Sequence, residues 1–233
     1  MMPPVIHRVT TLDLKIRPWS WPFAQARRAE IGAHFAAEQC KRPKLWNGRV
    51  LLGRNPRFAG EHFSADYFET DFASFLAWRD WGFPDDGVFN GFGMGALLAN
   101  DGAFALGEMG QHTSNAGRIY FPSGTPDPSD VRGDTLDIEG SVAREVEEET
   151  GLKLGDYSAE PYWDCVSTGV AIAAMRILRV DMTGEALCER IEANLAGQRQ
   201  PELAGIHLVR DPRDLSAAMP RFVAAYLERQ FGV

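Results

Sequence analysis

An α+β fold, or an α/β/α sandwich, is what this chain predicts, and three observations predict it. Strand-like and helix-like segments follow one another in irregular order, without the strict alternation of a parallel α/β protein. The apolar runs of "FGMGALLANDGAFALGEM" flank Asn100-Asp101-Gly102, a strong hairpin signal. A charged helix, "REVEEETGL", stands mid-chain between predicted strands and stops at Gly151.

Each element has its own warrant. "VIHRVTTLDLKIR" carries β-branched alternation and reads as a strand or extended arm. "SWPFAQARRAEIGAHFAAEQCKR" opens on Ser20 as a cap, has Pro22 in its first turn and continues in helix formers. "NGRVLLGRNPRF" reads as a turn and a strand, and "FETDFASFLAWRDWG" as a helix capped by Thr70 and ended by Gly82. "GRIYFPSG" predicts a short strand running into a loop, with the acidic helix starting near Ile138. Strands follow near 162–167 and 171–180, a helix over 185–195, a strand over 206–209 and a last helix over 215–230. The first ninety residues are less patterned than the rest. A boundary near Phe89 makes 1–88 an N-terminal extension or small subdomain and 89–233 the main domain.

Composition narrows the function. The 233 residues are 45% hydrophobic and 24% charged, ordinary for a globular protein with a real core. A net charge of −8 argues against a general nucleic-acid surface. No apolar stretch reaches the roughly 18 residues of a membrane span, and no signal-like segment opens the chain; a cytoplasmic, membrane-free protein is expected. Cys40, Cys165 and Cys188 show no CxxC spacing and are expected to be small buried residues of a reducing compartment. The tryptophans Trp19, Trp21, Trp46, Trp78 and Trp81 are expected in the core. Glycines 91, 93 and 95 precede a hairpin rather than a helix, so they read as close-packing positions and not as a phosphate loop.

The acidic helix is the candidate site. At 100° per residue, Glu145, Glu148 and Glu149 share an arc of about 100°, while Glu147 points elsewhere. Two carboxylates about 6 Å apart repel by roughly 3 kcal/mol at an effective dielectric near 20. The acids also lie toward the helix C-terminus, where the macrodipole disfavours negative charge. Either a solvated acidic face or a bound cation answers this, and spacing does not choose. An all-oxygen donor set would suit Mg²⁺ or Mn²⁺.

"REVEEETGL" resembles the second half of the Nudix box, G-x5-E-x7-R-E-U-x-E-E-x-G-U with U aliphatic. Arg144, Glu145, Val146, Glu148, Glu149, Gly151 and Leu152 occupy its seven specified positions, and "FPSGTPDPSD" is similar to the loop before the helix, with Gly124 as the loop glycine. Twenty residues separate Gly124 from Arg144 where the pattern has fourteen, so the loop carries six extra. Counted forward from Gly124, the box's first glutamate falls on Asp130, a plausible substitute; counted back from Arg144 it falls on Leu136, which cannot serve.

The resemblance implies a Nudix-type α/β/α sandwich over 89–233 and a Mg²⁺- or Mn²⁺-dependent diphosphatase. Glu145, Glu148, Glu149 and the Gly124 carbonyl would be metal ligands, and Arg144 would orient the glutamates, most simply Glu148 at i+4. The base that activates water would be a helix glutamate or Glu202, and His112 and Asn115 are candidate substrate contacts. "LWNGRVLL" and "TDFASFLAWR" resemble the branch that splits nucleotide sugars, whereas "NAGRIYFPSGTPDPSD" resembles the coenzyme A-cleaving branch. A nucleotide sugar or similar nucleoside diphosphate conjugate is the expected small-molecule partner. A coenzyme A-type diphosphatase and a non-catalytic nucleotide sensor are the alternatives. The N-terminal region would cap the pocket or build a homodimer.

Overall fold

The computed structural model describes residues 3–233. In chain order the elements are β1 (Val5–Val9), β2 (Thr11–Ile16), α1 (Pro22–Ala26), α2 (Arg28–Lys41), β3 (Arg49–Ala59), β4 (His62–Asp71), α3 (Phe72–Asp80), β5 (Val88–Ala99), β6 (Phe104–Met109), β7 (Ile119–Tyr120), β8 (Val131–Arg132), β9 (Thr135–Leu136), α4 (Ile138–Thr150), β10 (Ser158–Ala159), β11 (Trp163–Ser167), β12 (Ala171–Val180), α5 (Gly184–Gly197), β13 (Leu203–Val209) and α6 (Arg221–Phe231). The α+β reading holds: a mixed sheet carries helices on both faces.

The main path of the sheet runs β1-β11-β12-β5-β3-β4-β2-β9-β8, with β6 joining β5 to β7 and β13. Pairs β5–β12 and β2–β4 are parallel; the rest are antiparallel. β5 is the hub. It pairs with β12 along Asn90–Ala99, with β3 at Val88 and Phe89, and with β6 at Leu97 and Leu98.

Side chains alternate across a strand, and β5 uses both faces. A Cβ on Gly93 or Gly95 would come within 2.5 Å of Val142 or 2.7 Å of Val146, so these glycines let α4 lie against the backbone. On the other face Phe92 meets Phe222 of α6, ring centroids 5.6 Å apart. The close approach expected of "GFGMG" is therefore to a helix.

Two apolar clusters form around this sheet. The larger gathers β5, β6, β11, β12, α4, α5 and α6. The smaller packs Trp21, Ile31, Leu52, Phe68, Phe75 and Trp78 under α1–α3. Trp19 and Trp81 pack against it, but Trp46 is 80% exposed, against expectation. Cys165 is buried and its thiol is pushed up to about 12, chiefly by burial; Cys40 is exposed and Cys188 half-buried, so only one cysteine follows the expectation.

Local departures have local causes. Ser20 does not cap: Trp21 occupies the N-cap without a side-chain bond, and the predicted first helix divides at Arg27 into α1 and α2. α3 is capped by Asp71, which accepts from the Ser74 amide at 2.9 Å, and not by Thr70. Thr70 and its predecessors instead belong to β4, where Phe63, Ala65 and Tyr67 are buried on alternate positions. The last helix starts at Arg221, after Pro220, rather than at Leu215.

Candidate active site

α4 is fixed at both ends. Asp137 accepts from the Gly140 amide at 2.9 Å, and Gly151 ends the helix in the left-handed conformation at φ 76°. Ile138, Val142 and Val146 face β5, which turns Glu145 and Glu149 toward the loop after β7. That loop is tied to the sheet by the Gly95 amide, which donates to the Pro122 carbonyl at 3.1 Å. Within it the Ser123 amide donates to the Glu149 carboxylate. A Cβ on Gly124 would stand 2.2 Å from Glu145 Oε1, so any side chain there would push the Glu145 carboxylate out of its place.

The three glutamates are not equivalent. Glu149 is 4% exposed, the Glu145 side chain 13%, and the Glu148 side chain 61%. Burial pushes the Glu145 carboxyl up to about 7; Arg144 opposes this, while Glu148 and Glu202 add to it. Glu149 is raised well above the carboxylate range by burial, then by Glu145 and Glu202; the Ser123 amide only partly offsets this. Glu147 is mostly exposed and 3.9 Å from Lys153, the solvated position expected of it.

Glu202 enters from the other end of the chain. It precedes β13, which pairs with β6, and its carbonyl accepts from the Gly110 amide at 2.7 Å. Its charge is felt at both buried glutamates. The fold thus brings together Glu145, Glu148, Glu149 and Glu202, with Gly124 alongside.

Arg144 does reach Glu148, at 3.6 Å, but this is its longest ion pair. Its shorter bonds go to Glu145 at 2.7 Å and to both oxygens of Asp130 at 3.0 and 3.3 Å. Asp130 is 4% exposed and also accepts from the Asp127 amide. The lengthened loop therefore returns a carboxylate to Arg144 at the position counted forward from Gly124. The six extra residues accommodate the β8–β9 hairpin, whose Thr135 pairs with Lys15 of β2.

Among the described residues no three His, Cys, Asp or Glu side chains are drawn together as a finished metal cage. The donor chemistry nevertheless fits a hard divalent cation. Every candidate donor is oxygen, two of the carboxylates are buried, and their neighbours are further carboxylates. One arginine side chain, shared with Asp130, is the compensating positive charge identified at this cluster.

On the other side of Ser123–Gly124 lies a cavity of about 600 Å³. Phe72, Phe75, Arg79 and Phe83 come to it from α3 and the turn after it, Asn90, Phe92 and Met94 from β5, and Phe222 from α6. Asn115 lines it and donates to the Tyr120 hydroxyl at 3.1 Å; His112 does not line it, but sits against Gly110. Burial raises the Tyr120 hydroxyl, and Glu149, Glu202 and Glu145 add to that shift, which places this ring between cavity and acids. Arg79, Asn90 and Arg118 were not identified from sequence. Each belongs to a different segment, and only the fold makes them neighbours.

By sequence, no family model and no curated protein matches the chain. Among solved structures it is similar to a Nudix hydrolase from M. smegmatis, RenU, at 14% identity and TM-score 0.39, covering 60% of this chain and 81% of that one. It is also similar to the MutT protein from Methanosarcina mazei Go1, at 16% identity and TM-score 0.37 over 60% and 91% of the two chains. DR0079 from Deinococcus radiodurans matches at 14% identity and TM-score 0.37 over 53% and 68%.

Proposed function

We propose that this chain is a Nudix-type hydrolase that splits a diphosphate linkage in a nucleoside diphosphate conjugate with the help of Mg²⁺ or Mn²⁺. One observation carries the reading. Glu145 and Glu149 are buried beside Glu148 and Glu202, and their mutual repulsion calls for a cation beyond Arg144. The occupied positions of the Arg144–Leu152 signature point to the same chemistry.

Glu145, Glu148, Glu149 and the Gly124 carbonyl would hold the ion. Bound there, a divalent cation supplies charge neutralisation to a diphosphate and to the transition state for its hydrolysis. The protein's own residues do the rest. Asp130 and Arg144 hold Glu145 in place. The buried flank formed by Val142, Val146 and Tyr120 keeps water from screening the acids. Glu202 and Glu148 are the groups available to take a proton from attacking water, Glu148 being the more accessible of the α4 trio. A nucleotide sugar is the preferred substrate class, from the N-terminal resemblance.

The test is a panel of nucleotide sugars, ADP-ribose, coenzyme A, dinucleoside polyphosphates and nucleoside triphosphates, each with Mg²⁺. At least one conjugate should be cleaved at its diphosphate. Glu148→Gln should lower that turnover by at least about 10²-fold, the scale lost with one charge-stabilising group, while leaving the melting curve unchanged. Unaltered turnover in that variant would remove the metal role. Silence across the panel would leave nucleotide sensing as the function.

A further inference from the structure

The cavity beside the acids has a chemistry of its own. The wall formed by α3 and the turn after it is aromatic, with Phe72, Phe75 and Phe83, and α6 contributes Phe222 opposite. Asn90 stands on the β5 wall between these faces. Its backbone amide donates to the Val170 carbonyl at 2.9 Å, but its side-chain oxygen is buried and no group among the described residues donates to it. A buried amide oxygen without a donor costs roughly 1–3 kcal/mol, so a ligand in the cavity that draws the Asn90 amide toward it and donates to that oxygen recovers the cost. Arg118 also lines the cavity, and its guanidinium forms no ion pair among the described residues.

We propose that this cavity seats the nucleobase of the substrate, its ring between the α3 phenylalanines and Phe222, its edge N–H on Asn90, and the adjoining phosphate on Arg118. The proposal deepens the diphosphatase reading and rests on it for the word substrate. It also assigns work to the N-terminal region, because α3 belongs to the first ninety residues. Aromatic faces accept any base, whereas an edge amide discriminates. It accepts from a ring imide or an exocyclic amine and donates to a ring carbonyl. A ring without such an edge leaves Asn90 unpaired and is rejected.

Binding without metal tests this apart from catalysis. UMP, CMP, AMP, GMP and ribose 5-phosphate are titrated calorimetrically into the chelator-treated protein. At least one nucleotide should bind about tenfold or more tighter than ribose 5-phosphate, equivalent to about 1.4 kcal/mol. Asn90→Ala should level the four nucleotides to within about twofold of one another while each still binds more tightly than ribose 5-phosphate, because the aromatic faces remain. Ala217→Trp, at an exposed loop position on the cavity wall, should abolish nucleotide binding with an unchanged melting curve, which covers the case of Asn90→Ala misfolding. Equal binding of all five ligands, no binding at millimolar concentration, or a base preference untouched by either variant would overturn the proposal. Base preference without diphosphate cleavage would sink the hydrolase and spare the pocket; cleavage without base preference would do the reverse.

Discussion

Asp164 and Glu149 are both buried carboxylates, 1% and 4% exposed, yet they live in opposite circumstances. Asp164 receives two bonds of 2.9 Å from Arg8 and one of 3.3 Å from Gln230. Its charge is answered inside the protein, and it ties the first strand of the chain to β11. Glu149 receives the Ser123 amide and otherwise faces carboxylates. A fold that needs only stability answers a buried charge as at Asp164. Leaving one unanswered, as at Glu149, makes sense where an ion from solution completes the site. Removing either partner of a satisfied pair is costly, whereas neutralising an unsatisfied acid relieves the protein.

The largest expected effect lies on the satisfied side. Arg8→Ala should destabilise by about 3 kcal/mol, the low end for a broken buried pair, because Asp164 is buried while the Arg8 side chain is 44% exposed, read as a fall in the denaturation midpoint. A change below about 1 kcal/mol would erase the contrast.

Next comes pH at the acidic cluster, where Arg144 only partly answers Glu145. Glu145 has its folded pKa raised to about 7 from an ordinary 4.5. Its favourable contribution is complete below the unfolded value and is lost as pH rises through about 7. Metal-free protein should therefore lose roughly 3 kcal/mol between pH 4.5 and 8 from this group. Glu145→Gln should flatten that part of the profile, and identical profiles for variant and parent would contradict the assigned cause.

Somewhat smaller is the metal effect. Mg²⁺ at 100 times its dissociation constant should stabilise the native state by about 2.7 kcal/mol, visible as a raised Tm. Glu149→Gln should melt higher than the parent without metal and lose the Mg²⁺ response. A full response in that variant would remove Glu149 from the site. Least of all, Glu147→Gln should stay within about 0.5 kcal/mol and keep the metal response, since Glu147 is exposed and only 3.9 Å from Lys153.

How far these sites were legible depended on sequence range. α4 could be read almost to the residue, because its run of acids, its stop at Gly151 and its apolar Val142 and Val146 all act within a few turns. β12 matched over Ala171–Val180 for the same reason. β4 was missed although Phe63, Ala65 and Tyr67 alternate with polar residues; the acids and threonine after Phe68 read as a helix start and masked the period-two signal. Glu202 could be named as a candidate base from the resemblance, but its place beside α4 could not be read, since the β6–β13 pairing that brings it there is non-local. Asp130 was found by counting along a motif, but its grip on Arg144 needed the folded loop. Asn90 was invisible in principle: nothing local says that its amide will lack a donor.

The placement of β1 carries a consequence for anyone shortening this chain. Val5–Val9 lies at one border of the sheet against β11, while β2, after Thr10, runs beside β4 in the other half. Trimming the first nine residues would not tidy a tail. It would bare the β11 backbone, strand the Asp164 carboxylate and offer neighbouring molecules a ready template for intermolecular pairing.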